Sequence, residues 1–256
     1  MTTRPDGRAP GALRPPSFEP GFHRLAEGSC LYRAGGTVVL CTVSCDASVP
    51  PFLEGTGRGW VTAEYQMHPR ASPKRREARD GRGRPVGGRT QEIQRLVGRA
   101  LRSAVDLEAL GPRTLALDCD VLEADGGTRT ASITGGFVAL CLALARLASR
   151  GELARPVVRD QVAAVSVGHV DGEALVDLAY VEDSRARVDL NLVATAGGDL
   201  IEVQGTAEGA PLPRADFDAM VTLGLDAVAA LCREQRRALE ASGVELSALT
   251  RAAGSP

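Results

Sequence analysis

Three short stretches of this 256-residue chain carry residue types and spacings suited to chemistry on phosphate. The first is Gly-Gly-Thr-Arg-Thr at 126–130. Gly126 and Gly127 permit close backbone approach, and a helix starting beyond them presents N–H groups without partners. Arg129 adds a planar fork of donors, with the hydroxyls of Thr128 and Thr130 in the same turn. Such a turn suits an anion, but the same residues also make a strand-to-helix junction in which Thr130 or Ser132 caps the helix. The second stretch, Gly87-Gly88-Arg89, again places glycines and an arginine before a helical pattern, although arginines in such positions are often ordinary solvated surface. The third is acidic and comprises Asp177, Glu182, Asp183 and Asp189. A hairpin turning around 184–186 brings Asp183 and Asp189 together, and paired carboxylates hold Mg2+ through oxygen. Alternatively, turn aspartates accept backbone N–H groups, and Asp189 pairs with Arg185 or Arg187. Two phosphate-binding arginines with a carboxylate-held cation are the equipment for phosphoryl chemistry on polyanions.

The elements that must position these groups follow from periodicity. Residues 37–45 and 60–67 read as strands joined by the Gly- and Pro-rich PPFLEGTGRG, which implies an early antiparallel sheet. From Arg89 onward, Ile93, Leu96, Val97, Ala100, Leu101, Ala104 and Leu107 recur at spacings of three and four. One face of a helix is therefore buried, and Arg95, Arg99 and Arg102 lie off that stripe. Residues 114–124 alternate as a strand, and an apolar helix over 137–150 follows the glycine- and hydroxyl-rich junction. Four strand candidates, 161–170, 173–183, 186–195 and 200–206, are separated by Asp171-Gly172, Ser184-Arg185 and Gly197-Gly198 and suggest a meander. Phe217, Met220, Val221, Leu225, Val228 and Leu231 place a final amphipathic helix over 214–240. The class is α+β. Residues 1–20 read as an extended arm and 241–256 as a fraying tail, neither expected to carry chemistry alone, around a single domain spanning 1–256.

Net charge is only −2, yet residues 70–102 hold ten arginines and one lysine against Glu77, Asp80 and Glu92, leaving the remainder of the chain strongly acidic. Such segregation creates a local field suited to a phosphate-rich partner, or else marks a solvated loop. The six cysteines stand singly in apolar runs without CxxC pairs or histidines at zinc spacing, which reads as buried free thiols. The N-terminus lacks a signal peptide's apolar stretch and no uninterrupted apolar run approaches membrane-spanning length, so the expectation is a soluble cytoplasmic protein with no membrane partner.

The stretches GWVTAEYQM, GGRTQEIQRLVGRALR, LDCDVLEADGGTRTASITGG, VAAVSVG, DLAYVEDS and IEVQGTAEG resemble the signature blocks of bacterial ribonuclease PH, in the family's order over residues 59–209. RPDGR near the start and the final helix are compatible with it. The resemblance implies a fold similar to the second domain of ribosomal protein S5 and assembly into a ring, a hexamer built as a trimer of dimers. It implies a phosphorolytic 3′-to-5′ exoribonuclease of tRNA and rRNA processing. In that reaction inorganic phosphate attacks the terminal phosphodiester of tRNA precursors and releases nucleoside diphosphates, and the reverse reaction adds nucleotides. By motif match, Arg89, Gly127, Thr128 and Arg129 should bind phosphate, while Asp183 and Asp189 should hold Mg2+ or assist proton transfer. Asp189 is the stronger acid candidate because a strand holds it.

This chain departs from the family pattern at His68, where leucine is more usual, and in PKRREARDGRGRPV, which is longer or richer in arginine. Neither departure touches the phosphate residues. Arg70, Arg75, Arg76 and Arg79 should contact the RNA backbone without reading sequence. Two other classes remain open: a non-catalytic ring subunit, against which the retained arginines and aspartates argue, and a metal-dependent hydrolase releasing monophosphates. A small-molecule kinase lacks its P-loop here.

Overall fold

The computed structural model describes residues 4–72, 76 and 85–251. The first half comprises β1 (Pro16–Pro20), β2 (Gly28–Ala34), β3 (Thr37–Asp46), β4 (Trp60–Met67), α1 (Gly88–Ser103), α2 (Leu107–Leu110), β5 (Thr114–Glu123) and α3 (Thr128–Ser149). Its sheet runs β1-β2-β3-β5-β4, with β4 and β5 parallel and the other pairs antiparallel. The second half comprises β6 (Val162–Val170), β7 (Glu173–Val176), α4 (Tyr180–Asp183), β8 (Val188–Thr195), β9 (Leu200–Ala207), α5 (Arg214–Ala241) and α6 (Leu246–Leu249). Its sheet is antiparallel in the order β7-β6-β8-β9. The α+β class is as expected, with a mixed and an antiparallel sheet.

The expected pairing of 37–45 with 60–67 is not what forms, because β5 lies between β3 and β4. The crossover through α1 explains this: a strand, a helix and the next strand of one sheet run parallel, so β4 joins β5 at the sheet edge. Strands β1 and β2 escaped the periodicity reading. Gly35-Gly36 between β2 and β3 was the available hairpin signal, and Gly35 has φ 54. In α1 the expected face is buried as read, with Ile93, Leu96, Val97, Ala100 and Leu101 inward. The helix stops at Ser103, and Asp106 then caps α2 by accepting from the N–H groups of Glu108 and Ala109.

Helix α3 begins at Thr128, nine residues earlier than the apolar run alone suggested, because its first turns are threonine, serine and glycine. It packs against β2 and β3 of one sheet and β6 of the other. Gly135 and Gly136 make that approach possible, since a Cβ would lie 2.8 Å from Tyr32 Cβ and 2.8 Å from Leu117 Cδ2 respectively. Among the described residues α3 is the one helix long and apolar enough to cross a membrane by length and composition, but it is the buried core helix between the sheets. Helix α5 covers the second sheet through Met220, Val228 and Leu231, while Phe217 of the expected stripe is exposed. The six cysteines are free and all but the half-buried Cys45 are buried; burial raises the Cys30 thiol to about 12.

Both ends differ from their expected looseness. The N-terminal arm buries Arg4 and Arg14 and adds β1 to the first sheet. The other end folds α6 into the core through Leu246 and Leu249, with Thr250 bridging Val158.

The tightest backbone contact of α3 is with β2, where a Cβ on Gly28 would lie 2.1 Å from the Ala139 carbonyl oxygen. Neither partner is a flexible side-chain tip, so Gly28→Ala should lower stability by about 3 kcal/mol, read as a shift of the urea midpoint at unchanged slope.

Candidate active site

Leaving β5, the chain turns through Gly126 and Gly127, both left-handed at φ 78 and 66, into α3. A Cβ on Gly126 would sit 2.3 Å from the Leu178 carbonyl oxygen, so the loop presses directly on the segment leading into α4. Gly127 is the N-cap of α3, and no side chain caps it. Thr130 Oγ1 instead donates back to the Gly127 carbonyl at 2.9 Å, and Ser132 Oγ to that of Thr128 at 2.9 Å. Neither hydroxyl does the capping that the alternative reading assigned it, and the start of α3 keeps its anion-binding character. Thr128 is buried with its hydroxyl 2.8 Å from the Tyr65 hydroxyl. Arg129 is held across the site, its Nη1 donating to Gln204 Oε1 on β9 at 3.0 Å and to Glu92 Oε1 on α1 at 3.4 Å.

Arg89 stands on the first turn of α1, exposed, beyond an N-cap Gly87 that also lacks a side-chain cap. The charges of Arg89 and Arg129 both act on Asp183 and on Asp189. The two sequence-predicted arginines and the two sequence-predicted aspartates therefore share one electrostatic neighbourhood, to which α1, α3, α4 and β8 each contribute.

Asp183 arrives there by a different route from the one expected. The run 173–183 is a strand only over β7; at Asp177 the backbone is left-handed, with φ 54, and the chain leaves the sheet to form α4, which Asp183 ends. No hairpin joins the two aspartates: Asp183 is on a short helix and Asp189 on β8, opposite Gly168 and Thr206. Asp177 and Glu182 are structural, clamped by Arg14 and Arg4. The alternative ion pairs of Asp189 are not made either. Arg185 donates to the Val181 carbonyl and lies near Asp171, and Arg187 donates to the Ala210 carbonyl.

Burial pushes the Asp183 carboxyl above its usual range despite Arg89 and Arg129. Burial likewise raises Asp189, reinforced by the charge of Asp183 and partly offset by Arg129, Asn191 and Arg89. Asp189 Oδ1 is buried without a hydrogen-bond partner, while Asn191 Nδ2 reaches Oδ2 at 3.5 Å. An orphaned carboxylate oxygen beside a second carboxylate fits a hard cation, and Mg2+ commonly takes one or two carboxylates and completes its shell with water and phosphate oxygens. Among the described residues no cluster of three or more His, Cys, Asp or Glu could hold a metal, so a cation here would rest on these two carboxylates.

Of the predicted RNA contacts, Arg70 and Arg76 are exposed, while Arg75 and Arg79 lie outside the described residues. His68 serves the loop, its Nδ1 accepting the Arg70 N–H at 3.2 Å. Tyr65, Glu92, Asn191 and Gln204 were not singled out from sequence. Gln204 and Tyr65 lay inside blocks already recognised, and only their contacts with Thr128 and Arg129 separate them from ordinary strand residues.

The family description "3′ exoribonuclease family, domain 1" matches residues 12–145 and "3′ exoribonuclease family, domain 2" matches residues 160–227. Among solved structures, rice (Oryza sativa) Rrp46 superposes with a TM-score of 0.73 at 21% identity, over 92% of this chain and 100% of that one. An Archaeoglobus fulgidus exosome with RNA bound to the active site gives 0.74 at 25% identity, over 90% of this chain and 92% of that one. An archaeal exosome core gives 0.71 at 24% identity, over 91% of each chain.

The raised carboxyl of Asp189 fixes the sign of a stability effect. Below the ordinary aspartate range the group is neutral folded and unfolded and contributes nothing; as pH rises from that range through its elevated folded value, a charge forms on a half-buried carboxyl and destabilises the fold. Asp189→Asn should therefore melt at a higher temperature than the parent at pH 8, with the gap closing towards pH 4. A lower melting temperature at pH 8 would contradict the assignment.

Proposed function

The chain belongs to the 3′ exoribonuclease family, carrying both of its domains in order, and on that premise we propose that it shortens RNA by phosphorolysis in the manner of bacterial ribonuclease PH. The observation that carries this reading is that Arg89 and Arg129, in the first turns of α1 and α3, act electrostatically on the half-buried Asp183 and Asp189. A hydrolase needs carboxylates but no phosphate cradle. A phosphorolytic enzyme must bring a doubly charged nucleophile to an anionic diester, and fixed cations with helix N-termini offset that repulsion.

In the proposed reaction inorganic phosphate lies at the start of α3, held by Arg129, the Gly127–Thr128 backbone and Arg89. A phosphate oxygen attacks the terminal phosphodiester phosphorus and forms the new anhydride bond. The bond to the penultimate 3′ oxygen breaks, a nucleoside diphosphate leaves, and the freed oxygen takes a proton, for which Asp189, its carboxyl raised by burial and by the charge of Asp183, is the proposed donor. Mg2+, when held by Asp183 and Asp189, would supply stabilisation of the charge developing on that oxygen. Run backwards, the same geometry adds nucleotides to a 3′ end.

The finer reading is a cytoplasmic enzyme that trims tRNA precursors as a hexameric ring, a trimer of dimers, with Arg70, Arg75, Arg76 and Arg79 on the RNA backbone. The similarity to an exosome with RNA in its active site supports RNA as the substrate and supports assembly with other chains. That same similarity favours one other reading, a ring subunit without activity.

Incubating the protein and Mg2+ with a 3′-extended tRNA, with and without inorganic phosphate, separates these readings. Diphosphates released only with phosphate are expected; monophosphates without it would mean a hydrolase, and no product would mean an inactive subunit. Asp189→Asn should lower turnover by about a hundredfold or more, and Mg2+ should raise the melting temperature of the parent but not of this variant. Replacing Arg75, Arg76 and Arg79 with alanine should weaken long RNA by about tenfold or more at moderate salt while sparing a dinucleotide-sized substrate; equal losses on both would argue against a backbone contact.

A further inference from the structure

The site is assembled from two halves. Gly127, Thr128 and Arg129 follow β5 of the first sheet, whereas Asp183 and Asp189 belong to the second-sheet half. Beside the packing of α3, the N-terminal arm also joins these halves, and it contributes no group to the chemistry itself.

Arg14 is the centre of that junction. Its Nη2 and Nε donate to the two carboxylate oxygens of Asp177 at 2.6 and 3.1 Å, and its backbone N–H donates to Asp177 Oδ2 at 2.7 Å. The remaining arm of the fork, Nη1, donates to the Asp125 carbonyl at 2.6 Å, and Nη2 also reaches the Gly126 carbonyl at 3.4 Å. One buried guanidinium thus grips the residue at which the chain leaves β7 and the two residues before the phosphate cradle. Asp177 sits at φ 54, a region that non-glycine residues seldom occupy, so its conformation depends on such partners. Space for the guanidinium is reserved: a Cβ on Gly35 would fall 2.6 Å from Arg14 Cδ.

Arg4 repeats the arrangement one step closer to the acids. Its Nε and Nη2 each donate to Glu182 at 2.7 Å, and Nη2 also donates to the Asp177 carbonyl at 3.2 Å. Glu182 in turn accepts the Ala179 N–H at 3.0 Å, and its chain neighbour is Asp183. Asp125 closes the circuit by accepting the Tyr180 N–H at the start of α4 at 3.1 Å. Cradle loop, arm and α4 are therefore one hydrogen-bonded unit.

We propose that Arg14 and Arg4 are positioning residues, and that the N-terminal arm is a strap setting the distance between the phosphate cradle and the two aspartates. The proposal rests on the phosphorolytic reading of that site. A lysine at position 14 keeps the charge but presents no planar fork, so it cannot hold Asp177 and the two loop carbonyls together. Displacement of the cradle by even an ångström weakens catalysis by about a hundredfold in the limit, without removing any group that touches substrate.

The test compares the parent with Arg14→Lys well below either melting temperature. Amide hydrogen exchange should rise at 125–130 and 177–184 while β3 and β5 stay as protected as in the parent. The KM for inorganic phosphate should rise about tenfold with the KM for RNA unchanged. Parent-like exchange at 125–130 with a parent-like phosphate KM would overturn the strap, and so would exchange that rises evenly through the fold. Should Arg14→Lys not fold, Arg4→Gln is the second variant: exchange rising at 179–184 with a fall in kcat and an unchanged phosphate KM supports the proposal, and no change in either rejects it. If the parent itself shows no phosphate-dependent turnover, phosphorolysis falls, while the exchange comparison still decides whether the arm holds the two segments together.

Discussion

Helix α3 packs against β2 and β3 on one side and against β6 and α5 on the other, so a single buried surface sets how the two sheets meet. Its glycines and small residues let two layers come close, and its body is fixed by burial rather than by capping. A helix fixed in this way has an equally fixed first turn. That turn emerges at the junction of the halves with no side chain satisfying it, which is where an anion is best received. The same burial that stabilises the core therefore also aims the phosphate cradle.

Around that turn the charges are arranged at the expense of stability. Asp183 and Asp189 are both pushed towards the neutral form by burial, and the second is pushed further by the first. Arg89 and Arg129 relieve this only in part, and Arg129 is itself shared with Glu92 and Gln204. The fully buried acids near the site are handled in the opposite manner: Asp177 and Glu182 each receive a whole arginine fork. Carboxylates gripped by an arginine fork hold the frame, and the two whose carboxyls burial raises face the chemistry, which is the division expected where pKa tuning serves function.

Much of this was legible in the residues. The spacing of Ile93, Leu96, Val97, Ala100 and Leu101 reports a buried helix face whatever it packs against, and Asp171-Gly172 marks a hairpin, with both residues at positive φ. The glycines and arginine at 126–129 could be read as an anion site because their chemistry is local. What could not be read depended on distant partners. The pattern of 173–183 continues as a strand would; it is Arg4, Arg8 and Arg14, well over a hundred residues away in sequence, that pin Asp177 in the conformation that turns the chain into α4. The order of β4 and β5 was hidden for the same reason, since alternation reports which face of a strand is buried and not which strand lies beside it.

The pairing of Arg4 with Glu182 spans 178 residues, and that separation bears on how the molecule is made. During synthesis Arg4 emerges long before Glu182, so it must wait for that partner while the first sheet and α3 form. Loop closure over such a length comes late in folding. Docking of the arm and completion of the site thus coincide, and a nascent chain that has built only its first sheet does not yet hold both halves of the active centre.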